Sequence, residues 1–282
     1  MEYIFLCLVV LLISFQNFIS KQYSTRASQF NVWLFSGTST LGALLFFIVN
    51  AGFKIEYVPE VIPFSILFAI CFGLANVGCV MAVKNGMFSI STLVNSYSLL
   101  IPTLYGIIFL NDAIYFCGYV GIALLLFSIY LLNKKKEDTH FTITWFFWIL
   151  IAFLGDGFCS TLQKIQQLHF EGMYKNQLMI YALFVLTIIF LIAGVLTSKG
   201  IKKELPKAAG YGLVRGVANG IVNYLVMVLT GVLPNAILFP LISAGGIVIS
   251  FVLATMLYRE RLTKLQLVGY IAGIASVILL NF

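Results

Sequence analysis

The stretch WILIAFLGDGFCSTLQK, residues 148–164, begins as a run of bulky apolar side chains, sets Asp156 between Gly155 and Gly157, and then turns polar. A carboxylate is tolerable there only in particular surroundings, so the solvent around the segment has to be settled first. Hydrophobic residues make up 61% of the chain and charged residues 10%, where a soluble domain carries roughly a quarter charged. The apolar residues fall in blocks of about twenty, enough to cross a hydrocarbon core of about 30 Å at about 1.5 Å per residue. Ten blocks are legible: 2–20, 31–53, 62–83, 88–110, 113–132, 143–163, 175–197, 208–229, 234–257 and 263–281. Backbone groups in lipid must be satisfied within the segment, which makes these blocks helices. The sequence therefore predicts an all-α integral membrane protein with ten transmembrane helices.

The first block is expected to persist as a helix, since it starts with Glu2 and lacks a basic leader and a small-residue cleavage site. Trp33, Trp145 and Trp148 stand at block starts, where an indole N–H reaches headgroups. Cys7, Cys71, Cys79, Cys117 and Cys159 all lie in apolar blocks at spacings that match no metal or redox motif. They read as small core residues, and no metal or cofactor is expected. The net charge of +7 comes from lysines and arginines in the gaps between blocks. That distribution orients a membrane protein and excludes a nucleic-acid partner, for which a basic patch with exposed aromatics is lacking.

The chain is written twice. At an offset of 143, Phe15 meets Phe158, Lys21 meets Lys164, and GLAN at 73–76 meets GVAN at 216–219. At an offset of 148, Asp112 meets Glu260, Gly121 meets Gly269, Ser128 meets Ser276, and LLN at 131–133 meets LLN at 279–281. The expected organisation is a five-helix repeat over 1–133, a charged linker over 134–142, and a second five-helix repeat over 143–282. An odd number of helices per copy turns the second copy upside down relative to the first, the inverted arrangement of many secondary transporters. The charges follow the inversion. Lys21, Arg26, Lys84, Lys134, Lys135, Lys136, Lys199, Lys202, Lys203, Lys207, Arg259, Arg261 and Lys264 fall on the side opposite the termini, against Lys54, Lys164 and Lys175 on the terminal side. By the positive-inside rule this places both termini outside the cell.

Asp156 lies about twelve residues into its block, roughly 18 Å from the start and near the midplane. A carboxylate at that depth costs about 2.5–3.5 kcal/mol and needs a wet cavity, a base or a proton. The flanking glycines admit a close neighbour. The best partner in the sequence is Arg215, which leads a polar helix face with Asn219 and Asn223 at i, i+4 and i+8. Asn76 is the repeat mate of Asn219, the first block offers Ser14, Gln16 and Asn17, and the fourth holds Asn95, Ser96, Tyr97 and Ser98 in a row. These groups meet at middle depth, as a site for a small polar molecule requires. The candidate substrate-binding residues are Asn17, Asn76, Asn95, Tyr97, Asp156, Arg215, Asn219 and Asn223, with Asp156 the candidate proton-coupling group. Each amide read alone is equally well a hydrogen bond between helices, and an Asp156–Arg215 bridge could be purely structural. Asp112 and Glu260, each just before a helix, read as N-terminal caps. Pro102 and Pro240 read as kinks.

The segment LYRERLTKLQLVGYIAGIASVILLN at 257–281, with Glu260 followed nine residues later by Gly269, resembles the closing signature of the EamA-like drug/metabolite transporter superfamily. LNDAIYFCGYVGIALLLFSIYLLN at 110–133 repeats it with Asp112 in the acidic place. The resemblance covers the whole chain. It implies a ten-helix basket whose central cavity is lined by the first, third, fourth, sixth, eighth and ninth helices, in a plasma or inner membrane. It also implies cytoplasmic termini, against the lysine distribution, and the orientation stays open.

The expected function is secondary active transport, with export the expected direction, of a small polar metabolite such as an amino acid or amine, by alternating access and with proton coupling open. The expected partners are that metabolite and the lipid bilayer; a homodimer is left open. The alternatives are a lipid-linked sugar flippase of the same superfamily and a non-transporting membrane scaffold. An enzyme is not expected. An intramembrane aspartyl protease needs a second carboxylate within a block, and the residue two before Asp156 is Leu154 rather than glycine. No P-loop or HExxH pair is present in the sequence.

Overall fold

The computed structural model describes residues 2–27, 30–109, 116–133, 142–198, 200–229, 235–258 and 263–279. Among these residues the protein is all-α, without a strand. The helices are α1 (Glu2–Arg26), α2 (Val32–Asn50), α3 (Ile62–Asn85), α4 (Phe88–Ser96), α5 (Leu100–Phe109), α6 (Phe116–Asn133), α7 (Ile143–His169), α8 (Lys175–Thr197), α9 (Ile201–Leu229), α10 (Asn235–Tyr258) and α11 (Lys264–Leu279). Among the described residues five helical stretches are long and apolar enough to cross a membrane: Ile4–Arg26, Val32–Asn50, Pro59–Asn85, Ile143–His169 and Lys175–Thr197. Asp112, Glu260 and the linker lysines Lys134, Lys135 and Lys136 lie outside the described residues.

The distribution of side chains is that of a protein in lipid. Large apolar residues face outward in helical stripes: Leu8, Leu11 and Phe15 on α1, Leu150, Leu154 and Phe158 on α7, and Phe184, Ile188 and Ile192 on α8. A soluble monomer does not expose apolar faces of this extent. The interior, conversely, holds Ser14, Gln16, Ser20, Ser36, Ser39, Asn76 and Arg215. Several hydroxyls return to the helix backbone one turn back, as Ser14 does to the Val10 carbonyl and Thr161 to the Gly157 carbonyl. Such bonds satisfy a hydroxyl without water.

Small residues decide which helices touch. α2 carries FSGTSTLGA at 35–43, and α9 carries glycine every fourth residue at Gly212, Gly216 and Gly220. The two helices run parallel and almost backbone to backbone. A Cβ at Gly216 would sit 2.0 Å from the Ser39 carbonyl oxygen, and one at Gly42 would sit 2.7 Å from that of Leu213. The α3/α7 seam is antiparallel and equally close, with Gly78 against Ala152 and Gly155 against Ala75. Without a hydrophobic drive between helices in lipid, this close packing is what holds them.

The fourth apolar block is two helices rather than one. α4 and α5 are separated by a 3-10 turn at Tyr97–Leu99. Pro102 is the cause, because it has no N–H to give the Ser98 carbonyl four residues back. Helix ends also differ from the apolar blocks. α1 runs on to Arg26, α7 to His169, and α9 starts at Ile201, because these helices continue past their most apolar stretch. The α9 extension takes in Glu204, which the charged sequence KKELPK had placed in a gap. Glu204 is 5% exposed and accepts a hydrogen bond from Asn31 Nδ2 at 3.1 Å. Asn31 also caps α2 through its side-chain oxygen to the Trp33 and Leu34 amides.

Trp145 does not sit in an interfacial belt. It is 3% exposed, and its indole N–H donates to Ser91 Oγ at 2.9 Å. Gly86 makes the room, since a Cβ there would overlap the indole ring.

Candidate functional site: a polar interior with two separated charges

The two glycines beside Asp156 face different neighbours. A Cβ at Gly155 would strike the α3 backbone at Ala75, and one at Gly157 would strike Ile101 on α5. Asp156 lies between these contacts and opposite the Leu150, Leu154 and Phe158 stripe that faces lipid. Asp156 is partly buried. Its Oδ2 accepts a hydrogen bond from Ser98 Oγ at 2.6 Å. Ser98 belongs to the turn that Pro102 opens, so the helix break supplies the hydroxyl that meets the acid.

Arg215 is 7% exposed. Its Nη1 donates to Ser39 Oγ at 2.9 Å and to Asn76 Oδ1 at 3.1 Å, and the guanidinium lies 5.6 Å from the centre of the Phe35 ring. Its Nε is buried without a partner. The expected bridge to Asp156 is not made; among the described residues no ion pair joins them, and neutral oxygens hold the guanidinium instead. Depth is not the obstacle. The α3/α7 register sets Asp156 level with Leu74, and Asn76 is only about 3 Å further along the same helix. Cys79 stands three residues along α3 from Asn76, on the same side of that helix.

The remaining polar groups divide. Asn219 Nδ2 donates to Gln16 Oε1 at 2.9 Å, and Asn223 Nδ2 donates to the Asn219 carbonyl at 2.9 Å, so the α9 amide row extends the polar interior to α1. Asn17 shares a face of α1 with Ser14 and Lys21; Ser14 Oγ donates to the Gly246 carbonyl of α10, and Lys21 Nζ to the Val83 and Gly86 carbonyls at the end of α3. Asn95, one turn before Ser98, has a buried Oδ1 without a donor. Tyr97 is turned elsewhere. It is 1% exposed, its hydroxyl is 2.7 Å from Ser128 Oγ, and Ser128 donates to the Gly269 carbonyl. Gly273 leaves space for that hydroxyl in the α6/α11 seam. Tyr97→Phe is therefore expected to lower stability by about 1 kcal/mol, read by thermal unfolding. Unchanged stability would mean that the bond to Ser128 is not made.

Ser36, Ser39 and Cys79 join the site without having been marked in the sequence. Nothing distinguishes them there from other small residues in apolar blocks. The one available signal was their clustering with glycines on α2 and α3.

No family model matches the chain, and no curated protein matches it. A solved structure described as "Crystal structure of protein" aligns with a TM-score of 0.61 at 12% identity, covering 95% of this chain and 97% of that one. The fold is one already seen in a solved structure. At that identity the likeness concerns fold alone, and it extends over nearly the whole of both chains.

Proposed function

We propose that the protein is a secondary transporter of a small polar metabolite, built as two inverted five-helix units that cross the membrane ten times in the manner of the EamA-like superfamily. The observation that carries the reading is the pair of charges, Asp156 and Arg215, held apart at nearly one depth and turned to the interior. Ionisable groups inside a membrane mark ion or substrate pathways. A scaffold would instead pack the two against each other. The break between α4 and α5 at Ser98 adds support, since discontinuous helices form transporter sites near the midplane.

Element pairing supports the inverted repeat. α2 packs on α8, α6 on α11 and α4 on α10, each on its own counterpart, and α3 packs on α7 as α9 does on α1. At residue level, Ser98 meets Asp156 and Gly246 meets Ile13; the second contact is the first shifted by the repeat offsets of 148 and 143. The charges break that symmetry, since Asp156 answers to Ile13 and Arg215 to Phe72.

The test is a thermal-stability screen of purified protein against amino acids, amines, nucleosides and sugars, followed by counterflow of the stabilising solute in proteoliposomes. A ligand that binds only the folded state raises apparent stability by mass action. A stabilising solute accumulated by counterflow is the expected result. Vesicles containing folded protein that carry none of these solutes faster than empty ones would remove the transport reading.

A further inference from the structure

Two of the buried polar atoms without a partner are of opposite kind and belong to residues of the polar interior. Arg215 Nε is a buried donor without an acceptor, and Asn95 Oδ1 is a buried acceptor without a donor. Each costs about 1–3 kcal/mol in desolvation. They belong to opposite halves of the chain. Arg215 projects from α9 and is held at its other end by Ser39 and Asn76. Asn95 stands on α4 one turn before Ser98, whose hydroxyl holds the Asp156 carboxylate. Neither charge has an opposite charge beside it among the described residues.

We infer that the site takes a small zwitterion, with a carboxylate meeting Arg215 and an ammonium meeting the Asp156, Ser98 and Asn95 end. A planar guanidinium with a free N–H matches a carboxylate in two parallel hydrogen bonds. An ammonium brings three donors, which the carboxylate of Asp156 and the orphan amide oxygen of Asn95 are equipped to accept. A ligand with both poles neutralises both buried charges at once; a ligand with one pole leaves the other charge as it was. The distance between the poles is set by the protein, so the spacing of charges in the ligand becomes the specificity determinant. This rests on the transport reading above and names the substrate class for the same site.

The experiment uses the purified chain and needs no variant for its main arm. Thermal unfolding is measured with millimolar ω-amino acids from glycine to 6-aminohexanoate, and with alkylamines and alkyl carboxylates of matching length at constant ionic strength. One chain length is expected to raise the unfolding temperature by several degrees, while its amine and carboxylate fragments leave it unchanged. The same zwitterion is expected to slow alkylation of Cys79, followed site by site by mass spectrometry, and to lose its effect in Arg215→Gln. Carboxylates alone, or amines alone, matching the zwitterion would overturn the inference. A sugar or nucleoside that stabilises and is carried, with every zwitterion silent, overturns it too but leaves the transport reading standing. Absence of flux for every solute in vesicles of folded protein removes both.

Discussion

Gly216→Val is expected to leave little folded protein. A Cβ at Gly216 would meet the Ser39 carbonyl oxygen at 2.0 Å and the Ala43 amide nitrogen at 3.0 Å. Both are backbone atoms of α2, so no rotamer change relieves the clash. α2 is also pinned on its other side, where Gly37 lies against Leu191 of α8. Overpacking an ordinary core costs about 1–3 kcal/mol, and here two whole helices must separate. Their separation would also pull Ser39 from Arg215. Gly210→Ala is the control on the same helix. A Cβ there meets nothing within 4 Å, and replacing helical glycine by alanine favours the helix by about 0.5–1 kcal/mol. Size-exclusion yield and thermal unfolding of the two variants make the comparison. A monodisperse Gly216→Val protein with wild-type stability would mean that α2 and α9 are not in backbone contact.

On the proposed transport function, Asp156→Asn is expected to reduce solute flux by about 10–100-fold while the protein stays folded. The amide has the shape of the carboxylate, and its oxygen can still accept from Ser98 Oγ, so the link between α7 and the helix break survives. What disappears is the charge. A hydrogen bond to an ionised group contributes about 1.5–3 kcal/mol, and about 1.4 kcal/mol corresponds to a tenfold change in rate. If the same carboxylate carries the coupling proton, the variant also loses accumulation driven by a pH gradient, while exchange of solute for solute continues at its reduced rate. Flux and its response to an imposed pH gradient, measured in one proteoliposome preparation, separate the two roles. Wild-type flux with a wild-type pH response would take Asp156 out of the mechanism.

The legibility of the site followed the cost of each group. Asp156 and Arg215 stood out because a charge in an apolar block demands a reason. Asn219 and Asn223 stood out by their spacing on one helix face. Tyr97 was drawn in by its polar neighbours, Asn95, Ser96 and Ser98, yet its hydroxyl crosses to Ser128 in another seam. Sequence position cannot foresee that, because the 3-10 turn at Tyr97–Leu99 changes the direction in which successive side chains leave the backbone. Glu204 was missed for the converse reason. Lysines on both sides made its segment read as a polar gap, while the folded chain continues α9 through it and buries the acid against Asn31.

Composition and block length by themselves determined that the chain is helical and lies in lipid, since a backbone surrounded by hydrocarbon has few ways to satisfy its polar groups. Which helices touch was decided only in three dimensions, by glycines whose contacts depend on helix rotation and register. The partner of each charge was decided there as well. Arg215 and Asp156 are near in depth, but the guanidinium takes the neutral oxygens of Ser39 on α2 and Asn76 on α3. Depth along a helix can be counted from the sequence; the direction in which a side chain leaves that helix is fixed by what packs around it.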